Sequence, residues 1–171
     1  MTAAERRTAI ETALKQADGP LSATALAGQF SVSRQIVVGD IALLRAAGVQ
    51  INATPRGYVM AGAGKQDIRC TVACDHTSAD MARELYLIVD NGGEVLDVVV
   101  EHPVYGELRG PLCLRSRYDV GEFLRRVEEA PAKPLSALTD GLHLHTLSFP
   151  DRETRDRVVA ALKQAGFLLE M

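Results

Sequence analysis

The chain contains no apolar run approaching the roughly 20 residues that a bilayer-spanning helix needs. Its first ten residues carry Glu5, Arg6 and Arg7 with no apolar stretch behind them. Neither a membrane span nor a secretory leader is therefore expected, and the protein is expected in the cytoplasm with no membrane partner. Cysteine is scarce as well: Cys70, Cys74 and Cys113 are odd in number and form no CxxC pair, which argues against a disulfide framework. Cys70 and Cys74 fall on one face of a strand and read as small apolar core residues. Histidine is equally sparse, with His76, His102, His143 and His145 as the complete set and none earlier in the chain. What remains is 171 residues, 47% of them hydrophobic, enough for one large or two small folded domains.

The net charge of −3 conceals a split. Residues 1–66 hold seven basic and four acidic side chains, a net of +3, and the remainder holds twelve against eighteen, a net of −6. This suits a first segment that meets a polyanion and a second that does not. In the first segment, Ile10, Ala13, Leu14 and Ala17 recur at helical spacing over residues 3–17, and Asp18-Gly19-Pro20 stops that helix. Ser22 is placed to cap a helix over 23–30, and Ser33 to cap a third over 34–47, with Ile36, Val37, Ile41 and Leu44 facing inward and Gly48 as its stop. Two helices across a tight turn form a helix-turn-helix, whose second helix enters the major groove by its N-terminal end. Arg34 and Gln35 occupy that end, and both side chains can make bidentate base contacts. Val49-Gln50-Ile51 and Tyr58-Val59-Met60 then flank a basic hairpin tip at Arg56. The stretch SATALAGQFSVSRQIVVGDIALLRAAGVQI with RGYVM, within residues 4–61, resembles the winged helix-turn-helix of biotin-operon-type repressors. That resemblance implies DNA contact by Ser33, Arg34 and Gln35, with Arg56 on the wing reaching phosphate or the minor groove. A domain boundary is expected at 61, followed by a small, polar linker over 62–66.

Residues 67–171 alternate differently. Ile68, Cys70, Val72 and Cys74 mark a strand, a helix runs to Asp90 from a cap at Thr77 or Ser78, and Val95–Val100 and Glu107–Leu114 are strands around an HPVYG turn. Ser116 and Asp119 approximate a capping box for a helix to Glu129. Leu142-His143-Leu144-His145-Thr146 is a strand, 152–165 a helix, and Phe167–Glu170 a short last strand. The order β-α-β-β-α-β-α-β predicts helices on one face of a mainly antiparallel sheet, a ferredoxin-like α/β sandwich. The whole chain is thus expected to be α+β. In the H-x-H strand both imidazoles share a face and Leu142 and Leu144 the other, so one side is dressed for a ligand and the other for a core. Two half-exposed histidines on an edge strand would carry the same pattern.

His76-Thr77-Ser78 with Glu84, then VDNGG, DVVVEHPVYG and LSALTDGLHLH, together resemble the three-histidine (3H) domain over residues 67–170. In that family the domain is joined to this type of winged helix in niacin-responsive repressors of NAD biosynthesis and nicotinate uptake. The resemblance implies one divalent metal held by His76, Glu84, His143 and His145. Three imidazoles and a carboxylate suit zinc, nickel or ferrous iron. Eight residues inside one helix would separate His76 from Glu84 by about 12 Å. His76 must therefore lie in the strand-to-helix loop and curl back over the first turn. His102, Tyr105 and Arg109 are candidates to bind an effector carboxylate, though His102 could equally brace its own turn.

The expectation is a DNA-binding repressor, a homodimer on a double-stranded operator, with nicotinic acid as co-repressor, and not an enzyme. One alternative is a metal-dependent enzyme acting on a small pyridine carboxylate, against which no general base is evident beyond Glu84. Another keeps the architecture and changes the effector to a different small acid.

Overall fold

A computed structural model of the protein describes residues 1–61 and 67–169. These fall into two compact units, one on each side of 62–66. The expected linker over 62–66 and the end of the expected last strand at Glu170 lie outside the described residues.

The first unit is α1 (Ala3–Gln16), α2 (Ala23–Phe30), α3 (Arg34–Ala46), β1 (Ile51–Thr54) and β2 (Gly57–Met60). Its helix ends are set locally. Thr2 and Glu5 form a capping box on α1, Ser22 accepts from the Ala25 amide and Ser33 from the Ile36 amide. Ser31, at φ 54, closes α2 in the left-handed region and turns the chain toward Ser33. Ile10, Leu14, Leu26, Val37, Ile41 and Ile51 form the core. Asp40 is buried against α1, where Arg6 donates through Nε at 2.6 Å and Arg7 lies 3.5 Å away. In α3 the inward face is Val37, Asp40, Ile41 and Leu44. Ile36 was expected on that face but is 43% exposed, because it sits one residue, about 100° of rotation, off the inward stripe.

The second unit is β3 (Ile68–Asp75), a 3-10 turn (Ser78–Asp80), α4 (Met81–Asp90), β4 (Glu94–His102), β5 (Gly106–Leu114), α5 (Arg117–Glu129), a 3-10 turn (Leu135–Thr139), β6 (Leu142–Phe149) and α6 (Arg152–Gln164). The capping box of Ser116 with Asp119 opens α5 as expected, and Asp151 caps α6. Thr77 makes no side-chain cap; the 3-10 turn leads into α4 instead. Beyond α6 the expected strand shortens to a single bridge between Leu168 and Cys74, with Phe167 turned into the core.

The sheet order is β3-β6-β4-β5 with every neighbouring pair antiparallel. β3-α4-β4 and β5-α5-β6 are therefore two interleaved split βαβ units, the ferredoxin-like principle. The strand order departs from the ferredoxin one: the last strand, not the third, divides the first unit. The consequence is functional, since the H-x-H strand is central rather than at an edge.

Register fixes which way that strand faces. Cys74 pairs with His143, Val72 with His145 and Cys70 with Leu147, so all of these share one face. The helices cover that face, packing Leu85, Ile88, Val120, Val158 and Leu162 against Cys74, Val95, Leu147 and Phe149. The histidines thus point into the core, while Leu142 is 46% exposed on the other side. This reverses the expected assignment of faces. Alternation says only that the two sides differ; the helices decide which side is inside.

Candidate metal centre and nucleic-acid interface

His76 lies one residue past the end of β3 and before the 3-10 turn, in the loop where its spacing from Glu84 required it. Its Nε2 is 2.7 Å from Glu84 Oε2. Glu84 stands in the first turn of α4, 1% exposed. His143 and His145 approach the same oxygen from β6, with Nε2 at 3.3 and 3.4 Å. The rings of His76 and His143, and of His143 and His145, meet edge to face at 4.9 and 4.8 Å. Phe167 packs against His76 at 4.9 Å, with the Arg83 guanidinium 5.4 Å from the Phe167 ring centroid.

The remaining ring nitrogens decide the chemistry. His76 Nδ1 is 2.9 Å from the Thr77 carbonyl, His143 Nδ1 2.7 Å from that of Gly141, and His145 Nδ1 2.7 Å from that of Asp97. A carbonyl only accepts, so each Nδ1 carries the proton and donates it. In the neutral ring Nε2 is then a bare lone pair. Three such lone pairs aimed at one buried carboxylate oxygen are acceptors facing an acceptor, so the arrangement needs either a proton on Nε2 or a shared metal cation. Imidazoles anchored through Nδ1–H to fixed acceptors, with Nε2 presented, are the usual preparation of metal-binding histidines. The donor set therefore fits a divalent transition ion.

In the metal-free protein, protons on Nε2 supply these contacts. Burial alone would raise the Glu84 carboxyl, but hydrogen bonds from His143, His145 and His76 outweigh it and hold the group ionised far below the usual carboxylate range. Burial opposes charge on His76 too, yet its contacts with Glu84 and Thr77 raise its pKa above the ordinary imidazole value. Glu84 Oε1 is buried with no hydrogen-bond partner. An unpaired buried carboxylate oxygen is costly, and a cation would remove that cost.

Residues 69–171 match the 3H domain and residues 6–59 an HTH domain. The chain is 46% identical over 166 residues to the probable transcription repressor NiaR of Thermotoga maritima, covering 97% of this chain and 94% of the relative. It is 42% identical over 170 residues to the transcription repressor NadR of Bacillus subtilis, covering 98% and 94%. This chain belongs to the 3H family of transcription repressors. It is a helix-turn-helix regulator and not an enzyme, and DNA is a partner of its first unit.

In this repressor, Arg34 and Gln35 are exposed at the N-terminal end of α3, directly after the capping Ser33. Arg56 sits in the turn between β1 and β2, its amide donating to Thr54 Oγ1 at 3.2 Å. Gly57 holds that turn: at φ +138, a Cβ there would lie 2.4 Å from the Leu21 carbonyl oxygen. Among the described residues no helix is long and apolar enough to cross a membrane.

The three effector candidates are not brought to the imidazole cluster. His102 Nδ1 accepts from the Val104 and Tyr105 amides at 3.2 and 3.3 Å, bracing its own turn beneath the Tyr105 ring. That turn closes the β4–β5 hairpin, and Val98, the partner of His145, lies four residues back, about 13 Å along the strand. Arg109 pairs with Val99, which pairs with Leu144, so it stands on the open face opposite the imidazoles. Its guanidinium is held by Asp97 and by Glu107.

Two positions that the sequence pattern did not place at the cluster also matter here. Gly141, at φ +110, stacks its Cα against the His76 backbone, where a Cβ would lie 2.4 Å from the His76 carbonyl oxygen. The glycine immediately before the H-x-H strand was the available signal. Cys74, two residues before His76 and opposite His143, is fully buried, and its thiol is pushed well above its ordinary pKa by burial and by Glu84.

Proposed function

We propose that this repressor controls genes of NAD biosynthesis or niacin uptake, with nicotinic acid as co-repressor, and that it binds its operator as a homodimer. The second unit is its sensor, holding one divalent transition metal, nickel, zinc or iron, through His76, Glu84, His143 and His145. The observation that carries this reading is the convergence of three Nε2 atoms on Glu84 Oε2 inside the core, each ring anchored through Nδ1–H to a backbone carbonyl. The relatives' common architecture and their description as repressors support the rest. Once bound, the ion supplies a Lewis-acidic contact for a pyridine nitrogen or a carboxylate. The chain's own part is to hold the imidazoles by their Nδ1–H bonds, exclude water beneath Phe167, and set Glu84 against them.

The effector is assigned to this cluster rather than to His102, Tyr105 and Arg109. A single pyridine ring cannot bridge the roughly 13 Å from the hairpin tip, and the Arg109 cation is already spent on Asp97 and Glu107. In the first unit, Ser33, Arg34 and Gln35 meet the operator in the major groove and Arg56 meets phosphate or the minor groove. Two such units in a dimer address half-sites one helical turn apart or a multiple of it.

Titration calorimetry of nicotinate into the metal-loaded protein, repeated after chelation, tests the reading. Saturable binding abolished by chelation is expected. Absence of binding to protein that carries one metal per chain would remove nicotinate as the effector and leave the metal site standing.

A further inference from the structure

Cys74 is the one cysteine drawn into the cluster. It is 0% exposed, directly opposite His143 across the β3–β6 ladder, on the same helix-covered face. Side chains directly opposite one another in an antiparallel pair have Cβ atoms about 4.5–5.5 Å apart. Its Sγ, a Glu84 carboxylate oxygen and a His143 ring nitrogen all lie within 4.8 Å of one another, all three residues buried. Beside them, Glu84 Oε1 is buried and unpartnered. Sγ thus stands beside a carboxylate and an imidazole rather than among apolar side chains alone, where a thiol could offer only one weak S–H hydrogen bond. The other two cysteines, Cys70 and Cys113, are only half-buried.

We infer that Cys74 supplies a sulfur ligand to the metal, so that the ion is held by thiolate as well as by imidazole and carboxylate. The inference rests on the reading of the cluster as a metal site and extends it. Ligation replaces the S–H bond with a sulfur–metal bond and releases the proton to solvent, with no change of oxidation state. A thiolate in the set favours zinc and other soft or borderline ions over magnesium or manganese.

Cobalt(II) is the probe. The purified full chain, loaded with cobalt, should bind one ion per chain and show a near-ultraviolet sulfur-to-cobalt charge-transfer band. The band should persist in Cys70→Ser and vanish in Cys74→Ser, with cobalt affinity lower by about tenfold or more. X-ray absorption of the zinc-loaded wild-type chain, which needs no variant, should count one sulfur at about 2.3 Å. Cobalt bound at one per chain without the band, and zinc with only nitrogen and oxygen neighbours, would make Cys74 a packing residue and leave the metal reading intact. Failure of the wild-type chain to bind cobalt or zinc at all would overturn both.

Discussion

Gly141 is the residue through which the two arms of the imidazole cluster touch. Its carbonyl accepts from His143 Nδ1 at 2.7 Å, and the His76 amide reaches the same oxygen at 3.4 Å. A Cβ at this position has no room against His76 and would demand φ +110 of an L side chain. Gly141→Ala should therefore push the His76 loop away from β6 and weaken metal affinity by about 10–100-fold, measured by competition with a chromophoric chelator. Unchanged affinity would show that His76 is not held by this contact. The titratable groups allow a second prediction for the metal-free protein. Glu84 is depressed below 4.5, so its contribution is present above that pH and fades as pH falls through its folded value. His76 is raised above 6.5, so its contribution is complete below that pH and fades as pH rises through its folded value. Chelated protein should accordingly be most stable between pH 4.5 and 6.5. Metal requires deprotonated imidazoles, so zinc should move the optimum upward. Thermal melts across pH with chelator and with zinc read both; coincident profiles would argue that the imidazoles hold no ion.

At the level of elements, helix ends were legible in the sequence because their determinants are local. Ser22 and Phe30 bound α2 as expected, and the capping box of Ser116 with Asp119 opens α5. The pairing of His143 with His145 on one face was legible from strand alternation alone. The direction of that face was not, because it depends on where α4, α5 and α6 pack, and those are contacts between residues far apart in the chain. Strand order was not legible for the same reason: both the ferredoxin arrangement and the observed one satisfy the same element sequence. Cys74 was legible as a core residue and is fully buried, but strand alternation could not show that Glu84 and His143 lie beside it. In α3, the exposure of Ile36 was also hidden by a one-residue ambiguity in the helical stripe. Gly39 is mid-helix, and a Cβ there would meet nothing within 4 Å, so packing gives no reason for a glycine at this position. Gly39→Ala should stabilise the first unit by about 1 kcal/mol, read by chemical denaturation. If operator affinity falls while stability rises, the glycine serves close approach of α3 to DNA; if both rise or affinity is unchanged, it serves nothing there.

For the whole molecule, the question is how an ion at the proposed site would govern a DNA surface on a separate unit. The positive charge sits with the helix-turn-helix, where residues 1–66 carry a net of +3, and the rest of the chain is negative. Phosphate attraction is thus a property of the first unit and owes nothing to the metal. The effector can add only as much operator affinity as its own preference for the competent state, typically 5–150-fold. Removing a ligand should separate these two contributions. His143→Ala should abolish the nicotinate-dependent gain on operator DNA while leaving affinity for a scrambled duplex, and its salt dependence, as in the wild type. Arg34→Ala should do the reverse, costing about 1–3 kcal/mol at one base position with the effector response retained. Fluorescence anisotropy on both duplexes, with and without nicotinate, measures all of these. Loss of binding to both duplexes in His143→Ala would mean that the imidazole cluster holds the sensor's fold together, and that regulation enters through the stability of the second unit rather than through a shift between two folded states.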